Sequence, residues 1–591
     1  MMRKFNTIAL PKFRLTIAIS VVTLSLSIAY LIYAMTSSQM FGVLTLDATA
    51  SYLPLANKLI AAPLTVWQDP TAITVAPGGY AYMALVGADP ERIFILNIIL
   101  AVLSLFLIFD LCRRLGGLIA GLAGAVLYSF SPLLIEVIVP VLNEPPYLFF
   151  TLLWLWGTVL IRDKPEKKWP IIISGLALLC SILTRAIYFY WLFPAIITCL
   201  LIYFLSKEAE LKKLCLRILV AHLIAAAGAG AYTLHNWQTH GTPMIATGSG
   251  TALYFGSNPV TLGYEPPYLR MSHDEWMVTD RKNSHLTPYN DRRLAWAAKQ
   301  MLKDMPAENL VGLYINKLGA ILFFSQANLT PAVFNDRAFR IFLLVLAAIG
   351  FFYNRRSLLA VMLFFVLLYV TTVHVPAMYN QRYSIGALDL PLTLLAALGV
   401  AHLARCYSSK KLIASTLLLI LGGITAGTLH QRYSPPLMPK IDKGISHLAL
   451  KATLDNLDHK GFAGNPLVES AIFEETSASI IWKNISNYKR GGTPVISIDV
   501  LEMDKRCKKI DLIYTDKNQN IWQSSLPLKK SKAPLTLTIG SLSLDNIDKL
   551  ESQLELKFKC PANSTLKIGD IALYVSQAGL YYYDKIPENL K

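Results

Sequence analysis

The sequence predicts a polytopic α-helical membrane protein with about eleven spans, followed by a C-terminal β-rich, sandwich-like soluble domain. Of its 591 residues, 54% are hydrophobic and 16% are charged, and the mean hydropathy is +0.44. These values are too apolar for a soluble protein. Apolar runs of roughly 16 to 22 residues recur as far as residue 429, each near the length that spans ~30 Å of hydrocarbon as a helix. Beyond residue 430, apolar and polar residues alternate instead, which is typical of β-strands.

The positions of lysine and arginine orient the spans, because short cytoplasmic loops retain positive charge. The basic clusters can all be cytoplasmic if the spans alternate between them. This pattern predicts a multi-pass protein of the cell (inner) membrane, with a cytoplasmic N-terminus and a periplasmic or otherwise extracytoplasmic C-terminal domain. The first run lacks a convincing cleavage site and is predicted to be a retained anchor. The predicted spans are 15–34, 93–111, 116–131, 146–161, 170–184, 186–205, 218–236, 338–353, 358–375, 387–404 and 412–429.

The spans divide the chain into a transmembrane domain, 1–430, and a soluble domain, 431–591. Two long outer loops interrupt the first domain, at 35–92 and 237–336. The net charge of +17 comes largely from the orienting clusters and a lysine-rich tail. It indicates contact with the lipid bilayer and does not suggest a nucleic-acid partner.

Two apolar segments do not fit the pattern of spans. The stretch 48–62 repeats apolar residues at helical spacing and is predicted to be an amphipathic helix in the membrane interface. The run 310–324 is interrupted by Asn316 and Lys317, and is predicted to be re-entrant or interfacial.

The tail contains the alternating segments 495–500, 535–539, 554–558 and 571–575, which predict an antiparallel sandwich. In an oxidising outer space Cys507 and Cys560 could form a disulfide; the alternative is two buried thiols. The tail's aromatic residues could stack on carbohydrate or simply fill the core. Those aromatic residues are Trp482, Trp522 and Tyr581 to Tyr583.

Four ionisable residues are predicted at the outer ends of spans. Arg185 and Arg382 occur there against the positive-inside tendency, and a guanidinium suits a phosphate, although an arginine snorkelling to lipid headgroups is the alternative. Asp47 follows the first span, and Glu144 lies in the proline-flanked return to the fourth. Two carboxylates beside two phosphate-binding cations could displace a phosphate leaving group, one carboxylate activating the acceptor.

At these residues the chain resembles a known family, the polytopic GT-C glycosyltransferases of the protein O-mannosyltransferase and lipid A aminoarabinose transferase type. The likeness covers roughly residues 10–430, through an ordered series of short motifs. The series is 47–52 (DATASY), Arg92 and Asn97, 143–145 (NEP), 183–185 (LTR), 253–259 (LYFGSNP), and Arg382-Tyr383 with Pro391.

The resemblance implies an inverting transfer of a sugar from a polyprenyl-phosphate carrier at the outer face, without a nucleotide sugar. It implies that Asp47 is the catalytic base, that Glu144 is a second acidic residue at the site, and that Arg185 and Arg382 meet the carrier phosphate. Asp47 and Glu144 are thus the predicted catalytic residues. The predicted substrate-pocket residues are Tyr52, Tyr80, Asn258 and Tyr383.

The chain departs from many relatives in two places. Many relatives have an Asp-Glu pair where this chain has Asp47-Ala48. Many also have a basic or histidine residue before paired prolines, where this chain has the segment 76–80 (APGGY). A phosphate-binding or metal-binding role for that segment is therefore not implied. No cofactor is established by the sequence, a divalent metal is possible, and the spacing of His235 and His240 matches no metal motif.

Several alternatives stay open at this stage. Asp47 could act only as the N-cap of a helix. The glycine run 247–251 (TGSGT) could be a phosphate loop, although no GK[ST] follows, and a surface turn fits it better. The rival function is a transporter or flippase for lipid-linked glycans. Neither the sugar nor the acceptor, which could be a glycan, a lipid or a protein, follows from the sequence.

Overall fold

The structure is a computed structural model. It is mostly helical up to residue 406 and consists of β-sheets from residue 446, as the sequence predicts. The described residues form two compact units, the first within Met1–Thr247, Ala320–His374 and Gln381–Leu429, the second within Gly248–Gly319, Val375–Asn380 and His430–Lys591. The described residues are 10–269, 271, 278–279, 286–323, 336–406, 421–422, 425, 446–451, 457–482, 493–515, 521–527, 535–538, 553–576 and 586–587.

Most helices of the first unit are apolar. Five stretches of the described chain are long and apolar enough to cross a membrane: Thr16–Thr36, Pro90–Gly116, Glu144–Asp163, Ala209–His240 and Gly386–Cys406. The helices are α1 (Leu10–Thr36), α2 (Leu53–Ala61), α3 (Pro77–Ala84), α4 (Pro90–Gly116), α5 (Leu118–Ser129), α6 (Pro132–Ile138), α7 (Glu144–Asp163), α8 (Trp169–Thr184), α9 (Leu192–Leu205), α10 (Ala209–His240), α14 (Asp336–Asn354), α15 (Leu358–His374) and α16 (Gln381–Cys406).

The count of about eleven spans remains a prediction. Helices α5 and α6 add a sixth candidate if they count as one span, although they are bent by 61°. The predicted spans 170–184, 186–205, 338–353 and 358–375 correspond to shorter apolar helices. The last predicted span, 412–429, lies almost entirely outside the described residues.

The bend between α5 and α6 follows from the sequence at its corner. Helix α5 ends at Ser129, and Ser131 caps α6 by accepting a hydrogen bond from the Leu134 N–H at 3.2 Å. Pro132 begins α6, where its missing N–H costs nothing. The predicted span 116–131 therefore corresponds to α5, and the separate helix α6 begins directly after it.

The predicted interfacial helix 48–62 is two elements. A π-helical turn, Ala48–Tyr52, continues directly into α2. The apolar face predicted from the spacing is real, but Tyr52, Leu55 and Ala56 are buried in a hydrophobic cluster with residues of α3 and α4. The face therefore packs against protein, and the prediction that it lies on the membrane is wrong for these residues.

The second unit contains the helices α11 (Ser249–Ser257), α12 (Pro288–Asp304) and α13 (Ala307–Phe323), whose last turn belongs to the first unit. Helix α13 runs continuously through the predicted re-entrant or interfacial segment 310–324. Lys317 in this helix is fully buried, and its Nζ donates to the carbonyl oxygens of Gly256 at 2.6 Å and Pro376 at 3.1 Å.

The C-terminal β region consists of two antiparallel sheets that share one hydrophobic core, as in a sandwich. One sheet has the order β3-β4-β11-β6-β9, with β1 pairing β11, and the other has the order β2-β5-β10-β7-β8. The strands are β1 (Ser446–Lys451), β2 (Leu457–Lys460), β3 (Phe462–Ala463), β4 (Ala471–Phe473), β5 (Ser477–Trp482), β6 (Thr493–Met503), β7 (Lys509–Thr515), β8 (Ile521–Pro527), β9 (Leu535–Thr538), β10 (Gln553–Lys559) and β11 (Thr565–Ser576).

Cys507 and Cys560 form a disulfide that joins the turn before β7 to the end of β10. Trp482 is fully buried in the core, so this residue does not offer an exposed ring to a sugar. The side chain of Trp522 and the tyrosines 581–583 lie outside what the structure describes.

Candidate active site

The structure brings Asp47, Glu144, Arg185 and Arg382 into one cluster in the first unit. Each lies at or beside the end of a helix: Asp47 precedes the π-helical turn, Glu144 begins α7, Arg185 follows α8, and Arg382 is the second residue of α16. The four residues come from distant parts of the chain, yet ion pairs connect all of them.

Arg382 contacts both carboxylates. Its Nη1 lies 2.6 Å from Asp47 Oδ2, and its Nε lies 3.0 Å from Glu144 Oε1. Burial lowers the pKa of Arg382, but the negative charges of Glu144 and Asp47 outweigh this effect and raise it above its ordinary value. The guanidinium therefore stays charged at every physiological pH.

Glu144 is the centre of the cluster and is fully buried. Its Oε1 accepts a hydrogen bond from Arg185 Nη1 at 2.8 Å in addition to the contact with Arg382. Arg185 is 12% exposed, Arg382 23% and Asp47 49%. The exposed end of the cluster is thus formed by Asp47 and the edges of the two guanidinium groups, while Glu144 lies behind them.

Two tyrosine rings pack against the arginines. The guanidinium carbon of Arg185 is 4.9 Å from the centroid of the Tyr383 ring, and that of Arg382 is 5.1 Å from the same ring. Tyr147 contributes a second ring 5.9 Å from Arg185. Because the face of an aromatic ring carries partial negative charge, these contacts help to hold two cations close together.

A hydrogen bond from a side chain to the backbone sets the positions of Glu144 and Arg185 relative to each other. The side-chain amide of Asn143 donates to the carbonyl oxygen of Thr184 at 2.9 Å. It satisfies one of the carbonyl groups that the end of α8 leaves without an intrahelical partner. The residues that follow Asn143 and Thr184 in the chain are Glu144 and Arg185, so this single bond aligns the ion pair.

Two glycines in α3 pack against this support. A Cβ on Gly78 would lie 2.7 Å from Thr184 Oγ1, and a Cβ on Gly79 would lie 3.0 Å from the Tyr52 ring and 3.1 Å from Asn143 Cβ. The segment 76–80 therefore supports the site by close packing. This accounts for its glycines without a phosphate-binding or metal-binding role.

The N-cap interpretation of Asp47 is wrong. Asp47 has helical backbone angles, and its side chain makes no capping hydrogen bond. Thr45 accepts the hydrogen bond from the Ala48 N–H instead, at 3.1 Å. The Asp47 carboxylate is directed to Arg382.

The predicted substrate-pocket residues differ in their surroundings. Tyr383 and Tyr52 lie at the cluster; burial raises the pKa of Tyr52, with a further contribution from the charge of Glu144, so its hydroxyl stays protonated. Tyr80 is fully buried in the hydrophobic cluster that contains Tyr52. Asn258, in the second unit, is 2% exposed and accepts a hydrogen bond from the Val260 N–H at 2.9 Å, which stabilises its own turn. For Tyr80 and Asn258 the contacts of the side chain are structural.

The glycine run 247–251 is a turn that leads into α11, and its N–H groups already bind a carboxylate. Asp291 accepts hydrogen bonds from the N–H groups of Gly248 at 2.9 Å and Gly250 at 2.8 Å. A Cβ on Gly250 would lie 2.0 Å from the carbonyl oxygen of Asp291. An internal carboxylate takes the place that a phosphate would need, which excludes the phosphate-loop interpretation in this arrangement.

Within the described ranges, no group of three or more His, Cys, Asp or Glu side chains could hold a metal ion. At the cluster itself both carboxylates are within ion-pair distance of an arginine. The arginines contact one oxygen of each carboxylate, Asp47 Oδ2 and Glu144 Oε1, and their positive charges disfavour a divalent cation at the same place.

A large apolar cavity adjoins the cluster in the first unit. Its volume is about 660 Å³. Thr184, which precedes Arg185, and Pro146, two residues after Glu144, both line it. The full lining is Trp67, Pro77, Gly78, Ala81, Tyr82, Leu85, Leu96, Leu100, Pro146, Phe150, Cys180, Leu183, Thr184, Tyr232 and His235.

Residues 80–230 match the family model for dolichyl-phosphate-mannose-protein mannosyltransferases. The predicted resemblance to membrane glycosyltransferases is confirmed. The matched segment contains Glu144 and Arg185, while Asp47 and Arg382 lie outside it. No curated protein sequence matches the chain.

Three solved structures of glycosyltransferases are similar to parts of the chain. The apo oligosaccharyltransferase of Archaeoglobus fulgidus matches with 13% identity and a TM-score of 0.43, over 72% of this chain and 57% of that one. ArnT from Cupriavidus metallidurans in the apo state matches with 13% identity and a TM-score of 0.28, over 67% and 78%. The arabinosyltransferase EmbB of Mycobacterium smegmatis matches with 11% identity and a TM-score of 0.26, over 98% and 66%. The chain thus spans little more than half the length of the archaeal enzyme.

Two charged residues of the membrane helices were missed by sequence reasoning. Arg340 in α14 and Asp389 in α16 are both buried, and Arg340 Nη2 lies 2.6 Å from Asp389 Oδ2. Arg340 lies in the predicted span 338–353, and Asp389 lies in the predicted span 387–404. A charged residue within an apolar span was the signal that could have identified each of them. Their pairing could not be read from a single sequence.

Proposed function

We propose that this protein is an inverting glycosyltransferase that moves a sugar from a polyprenyl-phosphate carrier to a lipid, glycan or protein acceptor at the outer face of the membrane. One observation carries the proposal: two arginines are held on a single buried carboxylate, and a second, half-exposed carboxylate lies at their open edge. The match to a family of sugar transferases named for a lipid-phosphate donor supports it.

The two arginines suit the phosphate of the donor. Their charges add to +2, and Glu144 compensates only one of them, so Arg185, Arg382 and Glu144 together carry a charge of +1 that Asp47 balances until a ligand displaces it. A guanidinium binds phosphate oxygens through two parallel N–H donors. Because Glu144 and the tyrosine rings hold both groups in place, little conformational entropy is lost when the phosphate binds.

The apolar cavity suits the hydrocarbon chain of such a carrier. Two residues that line the cavity are close in sequence to the charged cluster. Thr184 directly precedes Arg185, and Pro146 lies two residues after Glu144. In this proposal the polyprenyl chain occupies the cavity and its phosphate reaches the arginines. Because the carrier chain already lies in hydrocarbon, it gains only packing contacts in this cavity. The specific recognition in this proposal comes from the arginines at the phosphate.

Asp47 is the base in this proposal. Its carboxylate accepts the proton of the acceptor hydroxyl while that oxygen bonds to the anomeric carbon of the sugar. The bond from the anomeric carbon to the phosphate oxygen breaks on the opposite side, so the configuration inverts and a polyprenyl phosphate leaves. The arginines stabilise the charge that develops on the leaving phosphate.

The ion pair between Asp47 and Arg382 gives the proposal an order of events. The donor phosphate and Asp47 compete for the same Nη1 of Arg382. When the phosphate binds, it releases Asp47 to the acceptor hydroxyl. The base is therefore freed only when a donor is present, which limits unproductive binding of the acceptor.

Glu144 has a different task from the second catalytic acid expected from the sequence. It is fully buried and is engaged by both arginines through one oxygen. A group in this position holds the phosphate-binding cations but does not reach the acceptor. Glu144 is therefore a positioning residue in the proposed mechanism.

Mass spectrometry of envelope glycans and glycolipids tests the proposal in cells. A deletion strain is expected to lack one sugar on one product, and the wild-type gene is expected to restore it. Asp47→Asn is expected to fail. Asp69→Asn is the matched control, because Asp69 lies in the same loop and pairs with Lys58 at 2.6 Å, away from the arginines. Full restoration by Asp47→Asn would contradict the proposed role of Asp47.

A further inference from the structure

A buried ion pair joins α14 to α16, seven residues beyond Arg382 of the candidate active site. Arg340 Nη2 lies 2.6 Å from Asp389 Oδ2, and the two side chains are 5% and 0% exposed. Arg340 Nη1 also donates to the carbonyl oxygen of Ile321, near the end of α13, at 2.8 Å. The pair belongs to the first unit and is not part of the proposed catalytic cluster.

Stability alone does not explain this pair. Among the described residues, Asp389 Oδ1 and Arg340 Nε have no hydrogen-bond partner. An incompletely bonded ion pair in a membrane helix costs desolvation energy that its attraction does not fully offset, and apolar residues of similar size would often be as stable. Some other requirement must therefore favour charged residues at these positions.

The geometry of α16 indicates what that requirement is. Asp389 follows Arg382 by seven residues, which is almost two complete helical turns. The two side chains therefore lie on one face of the helix, with Arg382 about 10 Å nearer its beginning. Any rotation of α16 that moved Asp389 away from Arg340 would also move Arg382 away from Asp47 and Glu144.

A contact that precedes Pro391 helps to fix the start of α16. Proline has no N–H to donate to the carbonyl oxygen of Ala387, so the helix is weakened between Arg382 and the rest of α16. After Pro391, α16 packs closely against the backbone of α14. A Cβ on Gly350 of α14 would lie only 1.9 Å from the carbonyl oxygen of Leu395 in α16. That close packing fixes only the part of α16 that follows Pro391.

We infer that Arg340 and Asp389 are positioning residues, whose ion pair fixes the rotation of the first two turns of α16 and so holds Arg382 at the site. The meaning of this for catalysis rests on the proposed function. The effect of the pair on the position of Arg382 relative to Asp47 does not depend on that function. It can be tested without substrate.

The test measures how fast Asp47 is modified by a water-soluble carbodiimide and an amine, using peptide mass spectrometry on the full chain. In the wild type, the contact with Arg382 is expected to protect the carboxylate. Arg382→Gln shows the rate without that contact. The double variant Arg340→Met/Asp389→Leu replaces the pair by apolar residues of similar size. It is expected to keep its thermal stability while Asp47 reacts several-fold faster.

A matched control and a second variant make the outcome decisive. Thr158→Val/Ser174→Ala removes another buried polar contact between membrane helices, 3.0 Å long, and is expected to leave the modification rate unchanged. The exchanged pair Arg340→Asp/Asp389→Arg is expected to return the rate toward the wild-type value.

Asp389→Asn, which keeps the side-chain size, provides the same comparison if the apolar variant does not fold. Wild-type modification rates in both the apolar and the Asn variant would overturn the inference. A wild-type protein that transfers no sugar would instead count against the proposed function, and the modification rates would still decide the role of the pair.

Discussion

The carboxylate of Asp47 and the guanidinium of Arg382 are 335 residues apart in the sequence and 2.6 Å apart in the structure. The contact joins the loop after the first membrane helix to the start of α16. It is the most exposed of the three ion pairs in the cluster, since Asp47 is 49% exposed. An anionic ligand can therefore replace Asp47 on Arg382 more easily than it can replace Glu144.

Asp47→Asn is expected to strengthen binding of a polyprenyl phosphate. The neutral side chain no longer competes for Arg382, and an exposed ion pair of this kind is worth up to ~1 kcal/mol, which corresponds to about a five-fold change in Kd. Tryptophan fluorescence titration of the purified protein measures this, with an uncharged polyprenol as the control ligand. Weaker binding to the variant would contradict competition for one guanidinium.

Glu144→Gln is expected to destabilise the protein by about 1.5–3 kcal/mol, because it removes the charged partner of two guanidinium groups. The arginines then repel each other, and the KM for the donor is expected to rise. Thermal unfolding in detergent and steady-state kinetics measure the two effects. Glu91→Gln, an exposed glutamate in the first turn of α4, is the control. A fall in kcat at unchanged KM would instead assign Glu144 to the chemical step.

Lys317 is expected to make stability depend on pH. Burial lowers the pKa of its amine to about 7, whereas the unfolded chain has a pKa of ~10.4. Between these values the unfolded chain binds a proton that the folded protein does not, so stability rises with pH and is flat below about 7.

Thermal unfolding at pH 7 and pH 9 measures this effect. The wild type is expected to be more stable at pH 9, and Lys317→Met is expected to lose the difference. Lys303→Met, at an exposed position of α12, is expected to keep it. An unchanged pH dependence in Lys317→Met would show that the buried amine is not its source.

Replacing Cys507 and Cys560 by alanine is expected to destabilise the β region by about 4 kcal/mol, because the disulfide joins residues 53 apart in the sequence. Hydrogen exchange of β7 and β10 in the full chain measures the loss, since both strands adjoin the disulfide. Cys406→Ala, which removes an exposed free cysteine, is expected to have no such effect. Unchanged exchange in the double variant would show that packing alone stabilises these strands.

The sequence identified the four charged residues of the cluster because each is a polar exception at a predictable place, the outer end of an apolar run. It could not identify which atoms pair. The burial of Glu144 between Arg185 and Arg382 depends on the approach of α7, α8 and α16, which no local pattern encodes.

The missed features have a common physical cause. The pair Arg340–Asp389 joins residues 49 apart, and the Gly78 contact joins α3 to the end of α8. Periodicity predicts the face that a helix buries but not the helix that it meets. For the same reason, the buried face of 48–62 was predicted correctly and its partner was not.

The most direct test of the central claim is the release of free polyprenyl phosphate by the purified protein. The assay supplies a polyprenyl-phosphate-linked sugar and an envelope extract as the source of acceptors. The wild type is expected to release polyprenyl phosphate together with a glycosylated product, and Asp47→Asn is expected to be slower by ~10²- to 10⁴-fold, as for loss of a general base. Release at the wild-type rate by Asp47→Asn, or movement of the intact donor across the membrane without release, would contradict the account.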